Sequence, residues 1–222
     1  MTMIIDFHIH SKYSFDCFLE PSKIIELARH RRIDGIAVTD HGTMAGISEF
    51  RKYAPDFYII AGQEISTKDA DILGLFLKEE IRAKDTDRII DEIRAQGGLA
   101  ILAHPFKWPH LIRRDEFLKK FDCLEVFNAR NNIPSPYLEN FLARRAVQRL
   151  GYPFVAGSDA HEGFELGQAG TIFNFSVQEA DDEKIKKALL EKRVKVTGNE
   201  VSLTLEVISH FSRIFKTLKQ KR

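Results

Sequence analysis

The chain has 222 residues, of which 44% are hydrophobic and 29% charged, a composition typical of a globular protein with one sizeable core. We therefore expect a single domain over residues 1–222. The net charge is only +1, which argues against a broad basic surface for nucleic acid. Cys17 and Cys123 are too few for a disulfide scaffold, and no apolar run approaches the roughly 20 residues that span a bilayer. A cytoplasmic protein with no membrane partner and no obligate protein partner is expected.

Short apolar runs alternate with amphipathic stretches along the chain, which indicates an α/β fold with a mainly parallel sheet. The predicted strands are Met3 to His8, Gly35 to Thr39, Phe57 to Ile65, Ile72 to Leu77, Leu99 to Ala103, Cys123 to Phe127, Phe154 to Ala156, Thr171 to Phe175 and Val194 to Thr197. An eight-stranded barrel takes about 250 residues, so this length suits an irregular βα barrel of about seven units. An open doubly wound sheet is the alternative.

Four helices are predicted from apolar spacing and from residues that begin or end helices. The first begins at Pro21, and the second is capped by Asp85 and ends at Gly97. A third covers Tyr137 to Leu150. The apolar spacing over 207–218 predicts a packed C-terminal helix with a basic, solvated tip at its end.

The first predicted strand ends in the motif Asp6-Phe-His8-Ile-His10. A side-chain period of two places these three polar residues on one side of the strand, where the two imidazoles can chelate a metal. A His-x-His tripeptide also occurs by chance at polar strand ends, so its neighbours have to decide between the two interpretations.

Four further polar clusters follow apolar strands directly. They are Thr39-Asp40-His41, Gly62-Gln-Glu64, Ala103-His104-Pro105 and Ser158-Asp159-Ala-His161. Each cluster alone has a structural explanation, such as a helix cap or a solvated carboxylate. In a βα barrel, however, the carboxyl ends of the strands converge on one face, which predicts a shared site. Mixed imidazole and carboxylate ligands without a CxxC pattern favour catalytic Zn²⁺, Mn²⁺ or Fe²⁺ over structural zinc.

These five motifs, in this order, resemble those of the PHP (polymerase and histidinol phosphatase) family. The resemblance runs from the first strand to His161 and covers most of the chain. It implies a distorted, TIM-like barrel of seven βα units that holds two to three divalent metal ions (zinc, manganese or iron). It also implies a stand-alone phosphoesterase in which hydroxide held by the metals attacks the phosphate ester.

The resemblance further implies which residues bind the metals. The implied ligands are His8, His10, Asp16, His41, Glu64, Asp71, His104, Asp159 and His161. Glu64 bridges two metals and has a catalytic role together with Asp159 and His161. Relatives often have histidine where this chain has Asp16 and Asp71, and both carboxylates also have non-ligand explanations, as a turn residue and as a solvent-facing residue. Asp40 is expected to orient the site from behind the ligands.

The substrate is expected to be a small phosphorylated molecule, with a nucleotide or a short oligonucleotide among the alternatives. Asn128 and Arg130 follow a strand end, where a guanidinium can grip phosphate, and Lys107 follows His104 in a loop. A plain surface role for Arg130 is equally consistent with the sequence. Two rival functions stay open: a non-catalytic metal-binding PHP module, and an amidohydrolase-like enzyme acting on C–N bonds.

Overall fold

All nine predicted strands are present in the computed structural model, which describes residues 2–107, 115–130 and 136–199. In chain order they are β1 Met3–Ile9, β2 Gly35–Val38, β3 Tyr58–Ser66, β4 Asp71–Leu75, β5 Leu99–Leu102, β6 Cys123–Asn128, β7 Phe154–Gly157, β8 Ala169–Phe173 and β9 Val194–Gly198. No bound differs from the predicted one by more than two residues.

Six α-helices lie between the strands of the described part of the chain. They are α1 Pro21–His30, α2 Ile47–Tyr53, α3 Thr86–Ala95, α4 Asp115–Leu118, α5 Pro136–Leu150 and α6 Asp182–Leu190. The predictions for α1, α3 and α5 are confirmed, and Asp85 caps α3 by accepting from the backbone N–H groups of Asp87 and Arg88. The helix predicted over 207–218 lies outside the described residues. Among the helices that are described, none is both long and apolar enough to cross a membrane.

The strands form one sheet in the order β7-β6-β5-β4-β3-β2-β1-β8-β9. The sheet curls until the chain beyond β7 meets β1. There Ile9 forms a parallel bridge with Ala160, and the backbone N–H of Asp159 donates to the carbonyl of His8 at 2.8 Å. The result is a nearly closed, barrel-like sheet of nine strands, not the open alternative. The predicted count of seven βα units is not confirmed, because β4, β8 and β9 interrupt the parallel pattern.

The direction of β4 follows from the length of its connection to β3. Residues 67–70 alone join the two strands, whereas a parallel crossover needs about a dozen residues or more. The pair is therefore antiparallel, with Ser66 opposite Asp71. This reversal brings the beginning of β4 to the edge of the sheet where the parallel strands end.

Apolar side chains fill both sides of the sheet. One cluster draws buried residues from strands around the whole sheet, including Phe7, Ile60, Leu73 and Val155, and α6 adds Ile185. Two other clusters pack the remaining helices against the outer surface. With the interior filled by side chains, polar groups collect at the ends of the strands.

Candidate metal centre

The nine predicted ligands meet at the edge of the sheet where β1, β2, β3, β5 and β7 end. Their donor atoms form three groups within which all atoms lie within 4.8 Å of one another. The groups are His8, His10 and Asp159; His10, His41 and His161; and Glu64, Asp71 and His104. Asp16 joins them from the loop after β1, with Oδ2 3.2 Å from His161 Nε2. Sequence spacing alone gives no such distances, since these residues come from seven segments of the chain.

The Glu64 carboxylate lies at the centre of the histidines. Its Oε2 atom is 3.2 Å from His10 Nε2 and 3.0 Å from His41 Nδ1, and its Oε1 atom is 3.4 Å from His104 Nε2. Burial alone would raise the pKa of Glu64, but the charges of His41 and His8 outweigh it and hold this pKa well below its usual range. A carboxylate with both oxygens aimed at different imidazoles suits a bridge between two cations.

Hydrogen bonds fix the tautomers of His8 and His10. His8 Nδ1 lies 3.1 Å from Glu125 Oε1, and an ionised carboxylate only accepts, so Nδ1 carries the hydrogen. His10 Nδ1 lies 3.1 Å from Ser14 Oγ, whose hydroxyl donates to Asp40 Oδ1 at 2.8 Å, so this ring also donates through Nδ1. In its neutral form, each ring therefore directs a lone pair at Nε2 into the cluster.

The two Nε2 atoms of His8 and His10 are only 3.1 Å apart, so with both Nδ1 atoms carrying hydrogen a further proton or a cation must lie between or beside them. The pKa of His8 also indicates that its surroundings favour positive charge. Burial would lower that pKa, but the carboxylates of Asp159, Glu125 and Glu64 raise it well above its usual value. Divalent cations meet this demand, because neutral imidazole and carboxylate are their usual ligands.

His161 repeats this arrangement on the other side of the cluster. Its Nδ1 atom donates to the carbonyl of Asp159 at 2.9 Å, which leaves the lone pair on Nε2. Burial, together with the charges of His10 and Arg130, lowers the pKa of His161 to about 3, so the ring stays neutral. Its Nε2 atom is buried without a hydrogen-bond partner among the described residues, as is Oε2 of Glu64. Buried atoms whose lone pairs have no hydrogen-bond partner fit a cation site.

Two ligand positions have unusual backbone conformations. The φ angles are +25° at His104 and +54° at Asp159, in a region that residues other than glycine rarely adopt. Glu125 Oε2 accepts from the backbone N–H of His104 at 2.7 Å and so stabilises the conformation at His104. Such strain costs on the order of 1–3 kcal/mol and typically occurs at functional sites.

The support behind the ligands includes Asp40, as predicted, and also a carboxylate that was not predicted. Asp40 acts through a serine: it accepts from the hydroxyls of Ser11 and Ser14, and Ser14 contacts the His10 ring. The carboxylate that directly orients a histidine is Glu125, which the sequence motifs missed. A charged residue inside the apolar run of β6 was the available signal, because a fully buried carboxylate needs partners.

A cavity of about 250 Å³ opens onto the ligands. Arg130 and Lys107 line it as basic residues, and Phe15 lines its wall. Asn128 is placed differently from the substrate contact expected of it: it is buried, and its amide donates to Glu125 at 3.0 Å and to Asp159 at 3.3 Å. A larger surface groove, of about 870 Å³, is lined by none of the nine ligands.

Comparisons with known proteins agree with this geometry. Residues 138–194 match the PHP-associated family model. The uncharacterized protein MJ0417 of Methanocaldococcus jannaschii is 30% identical over 203 residues, covering 87% of this chain and 80% of the relative. MJ1587 of the same organism is 37% identical over 141 residues, covering 57% of this chain and 82% of the relative.

The fold also has a solved counterpart. A two-domain protein from Bacteroides vulgatus, described as containing a predicted PHP-like metal-dependent phosphoesterase, superposes with a TM-score of 0.74. The two proteins are 19% identical, and the match covers 96% of this chain and 70% of the other, so it shows the same fold. The family-model match and the relative that is 30% identical show that the chain belongs to the PHP family.

Proposed function

We propose that the chain is a metal-dependent phosphoesterase that hydrolyses phosphate esters of small molecules. The observation that carries the proposal is the convergence of buried imidazole lone pairs and carboxylates on one cavity, beside Arg130 and Lys107. Cations and basic side chains at one place favour an anionic substrate, and phosphate esters are the anions whose hydrolysis most needs charge neutralised.

Two to three divalent ions are proposed for the centre. His8, His10 and Asp159 would hold one, and Glu64, Asp71 and His104 a second. Asp16, His41 and His161 would hold the third. The four carboxylates in this set favour Mn²⁺ or Fe²⁺ as readily as Zn²⁺. When bound, such ions supply Lewis acidity, which lowers the pKa of water and neutralises phosphoryl oxygens.

The protein's own side chains then bind and orient the substrate. Arg130 is largely buried, with Nε 3.7 Å from Glu165 Oε1, so its guanidinium is held at the cavity wall for the phosphate oxygens. Lys107 adds a second positive charge from the loop after β5. Glu64, Asp159 and His161 keep the centre's charge and geometry fixed, which is the catalytic role assigned to them here.

The size of the cavity favours a small ester. About 250 Å³ accommodates a phosphate and a modest leaving group, at the low end of ligand pockets, and cannot enclose a nucleic-acid duplex. Phe15 is 52% exposed at the cavity wall, and its ring stacks on His41 with centroids 5.0 Å apart. Its free face is available to an apolar or planar part of the leaving group.

A substrate panel tests the proposal. Phosphate release from monoesters, nucleotides and short oligonucleotides is measured beside amide turnover, using protein reconstituted with Mn²⁺, Fe²⁺ or Zn²⁺. We expect release from monoesters that disappears in Glu64→Gln. Amide turnover in its place would favour the amidohydrolase alternative, and metal binding without any turnover would favour the non-catalytic module.

A further inference from the structure

We propose that Glu125 is a positioning residue. Through hydrogen bonds on the side away from the metals, it fixes the orientation of three metal ligands. This inference rests on the metal centre of the proposed function, but its test does not use turnover. Glu125 lies on β6 and is 1% exposed, and no sequence motif assigned it to the site.

Both oxygens of Glu125 are engaged, each with a different strand end. Oε1 accepts from His8 Nδ1 at 3.1 Å, at the end of β1. Oε2 accepts from the backbone N–H of His104 at 2.7 Å, just after β5. One buried carboxylate therefore sets the tautomer of one ligand and stabilises the left-handed backbone of another.

The third ligand is reached through Asn128. Its amide Nδ2 donates to Glu125 Oε2 at 3.0 Å and to Asp159 Oδ2 at 3.3 Å. The backbone of Asn128 is itself held on both sides by the side chain of Asn140 on α5, with two hydrogen bonds of 3.0 Å. A continuous chain of hydrogen bonds thus connects α5 to His8, His104 and Asp159.

Only a carboxylate satisfies all of these donors. A glutamine has the same shape but only one acceptor oxygen, so its NH₂ group would face either the His8 ring N–H or the His104 backbone N–H. Facing His8, it would favour the other tautomer, with the hydrogen on the Nε2 atom that must bind metal. Mutation of a residue that hydrogen-bonds to a metal ligand typically weakens metal binding by about 10- to 100-fold.

The experiment compares Glu125→Gln with Asp122→Asn, a matched loss of one carboxylate. Asp122 precedes the same strand but holds β5 and α3, away from the cluster, through Ala100 and Arg94. Zn²⁺ affinity is measured by competition with a chelating indicator. We expect Glu125→Gln to weaken it by about 10- to 100-fold and Asp122→Asn to leave it within about twofold of the parent.

Nitrogen NMR of the metal-free protein, at a pH high enough for the His8 ring to be neutral, supplies a second readout. We expect His8 to be protonated at Nδ1 in the parent and to lose that preference in Glu125→Gln. If Glu125→Gln does not fold, Asn128→Leu replaces it and should weaken Zn²⁺ binding more than Asp122→Asn. Parental Zn²⁺ affinity and an unchanged His8 tautomer in a folded variant would overturn the proposal. Absence of phosphate release would count against the phosphoesterase function only.

Discussion

Two halves of the metal cluster differ in how their side chains are supported. The inner group consists of His8, His10, Asp159 and His161, and the outer group consists of His41, Asp71 and His104. Each inner ring uses its second nitrogen to bond a residue behind it, such as Glu125 or Ser14. Within the described part of the chain, the nitrogens of the outer rings lie near carboxylates that are themselves predicted ligands, and the Asp71 carboxylate is 3.9 Å from His104 Nδ1.

Exposure follows this division only in part. The side chains of His8 and His10 are fully buried, and those of His41 and Asp71 are each 20% exposed, but the His104 side chain is only 6% exposed, close to the 7% of Asp159. Preorganised ligands lose less entropy on binding, so we expect the inner group to hold its ion more tightly. All three outer residues line the cavity, together with Asp159 and His161 of the inner group, whereas His8 and His10 do not.

The largest expected effect comes from His10→Ala. His10 belongs to two of the three donor groups, so its loss should remove most of the bound metal. Phosphate release should fall by more than the roughly 100-fold that is typical when a hydrogen-bond partner behind a ligand is lost. Elemental analysis and phosphate release measure the two effects. His30→Ala, at the exposed end of α1, is the control. Retention of full metal content in His10→Ala would contradict the assignment.

His104→Ala should break only the outer half. We expect it to lose about one ion per chain while the inner ion stays, because the supports of His8 and His10 do not include its ring. Activity should fall strongly, since Glu64 then lacks the partner of its second oxygen. Metal content and turnover are measured together. Complete loss of metal would show that the two halves do not bind independently.

Asp71→His should change metal preference more than metal content. An imidazole in place of a hard oxygen donor favours zinc, so the activity ratio between Zn²⁺ and Mn²⁺ should rise. Asp71→Ala should weaken the outer ion and leave the inner one bound. If Asp71→Ala keeps the parent's metal content and preference, Asp71 is a surface carboxylate and the outer ion draws its ligand from elsewhere.

The smallest effect is expected for Phe15→Ala. Aromatic contacts contribute about 0.5–1.5 kcal/mol, so KM for an aryl phosphate should rise by about two- to tenfold. The KM for an alkyl phosphate and the metal content should both stay near those of the parent. Equal changes for both substrates would indicate that the ring supports His41 and does not contact the leaving group.

The sequence was most informative where one strand carries the evidence. The period of two in Asp6-Phe-His8-Ile-His10 follows from local geometry, and the alternation through Asp71, Leu73 and Leu75 correctly predicted a shared side for Asp71. Asp71 reaches the site because β4 runs antiparallel to β3, a direction that the short connection between these two strands explains.

The sequence predicted that the strand ends converge, but it could not predict which side chains from distant segments bond to each other. Glu125 and His8 are 117 positions apart, and nothing in either strand indicates which buried carboxylate meets which ring. Likewise, Asn128 follows a strand end as a substrate ligand would, but its amide turns to Glu125 and Asp159. The helix α6 was missed because its apolar positions, Ile185 and Leu189, stand among charged residues.

The most direct test is a chelator titration in which metal content and phosphate release are measured on the same samples. Protein reconstituted to two or three ions per chain is treated with increasing chelator. We expect the ions that depend on His41, Asp71 and His104 to leave first and monoester hydrolysis to disappear with them, while the ion held by His8, His10 and Asp159 is removed only at higher chelator concentrations. A chain that binds no metal after reconstitution, or that hydrolyses monoesters equally well after all metal is removed, would contradict the metal-dependent mechanism.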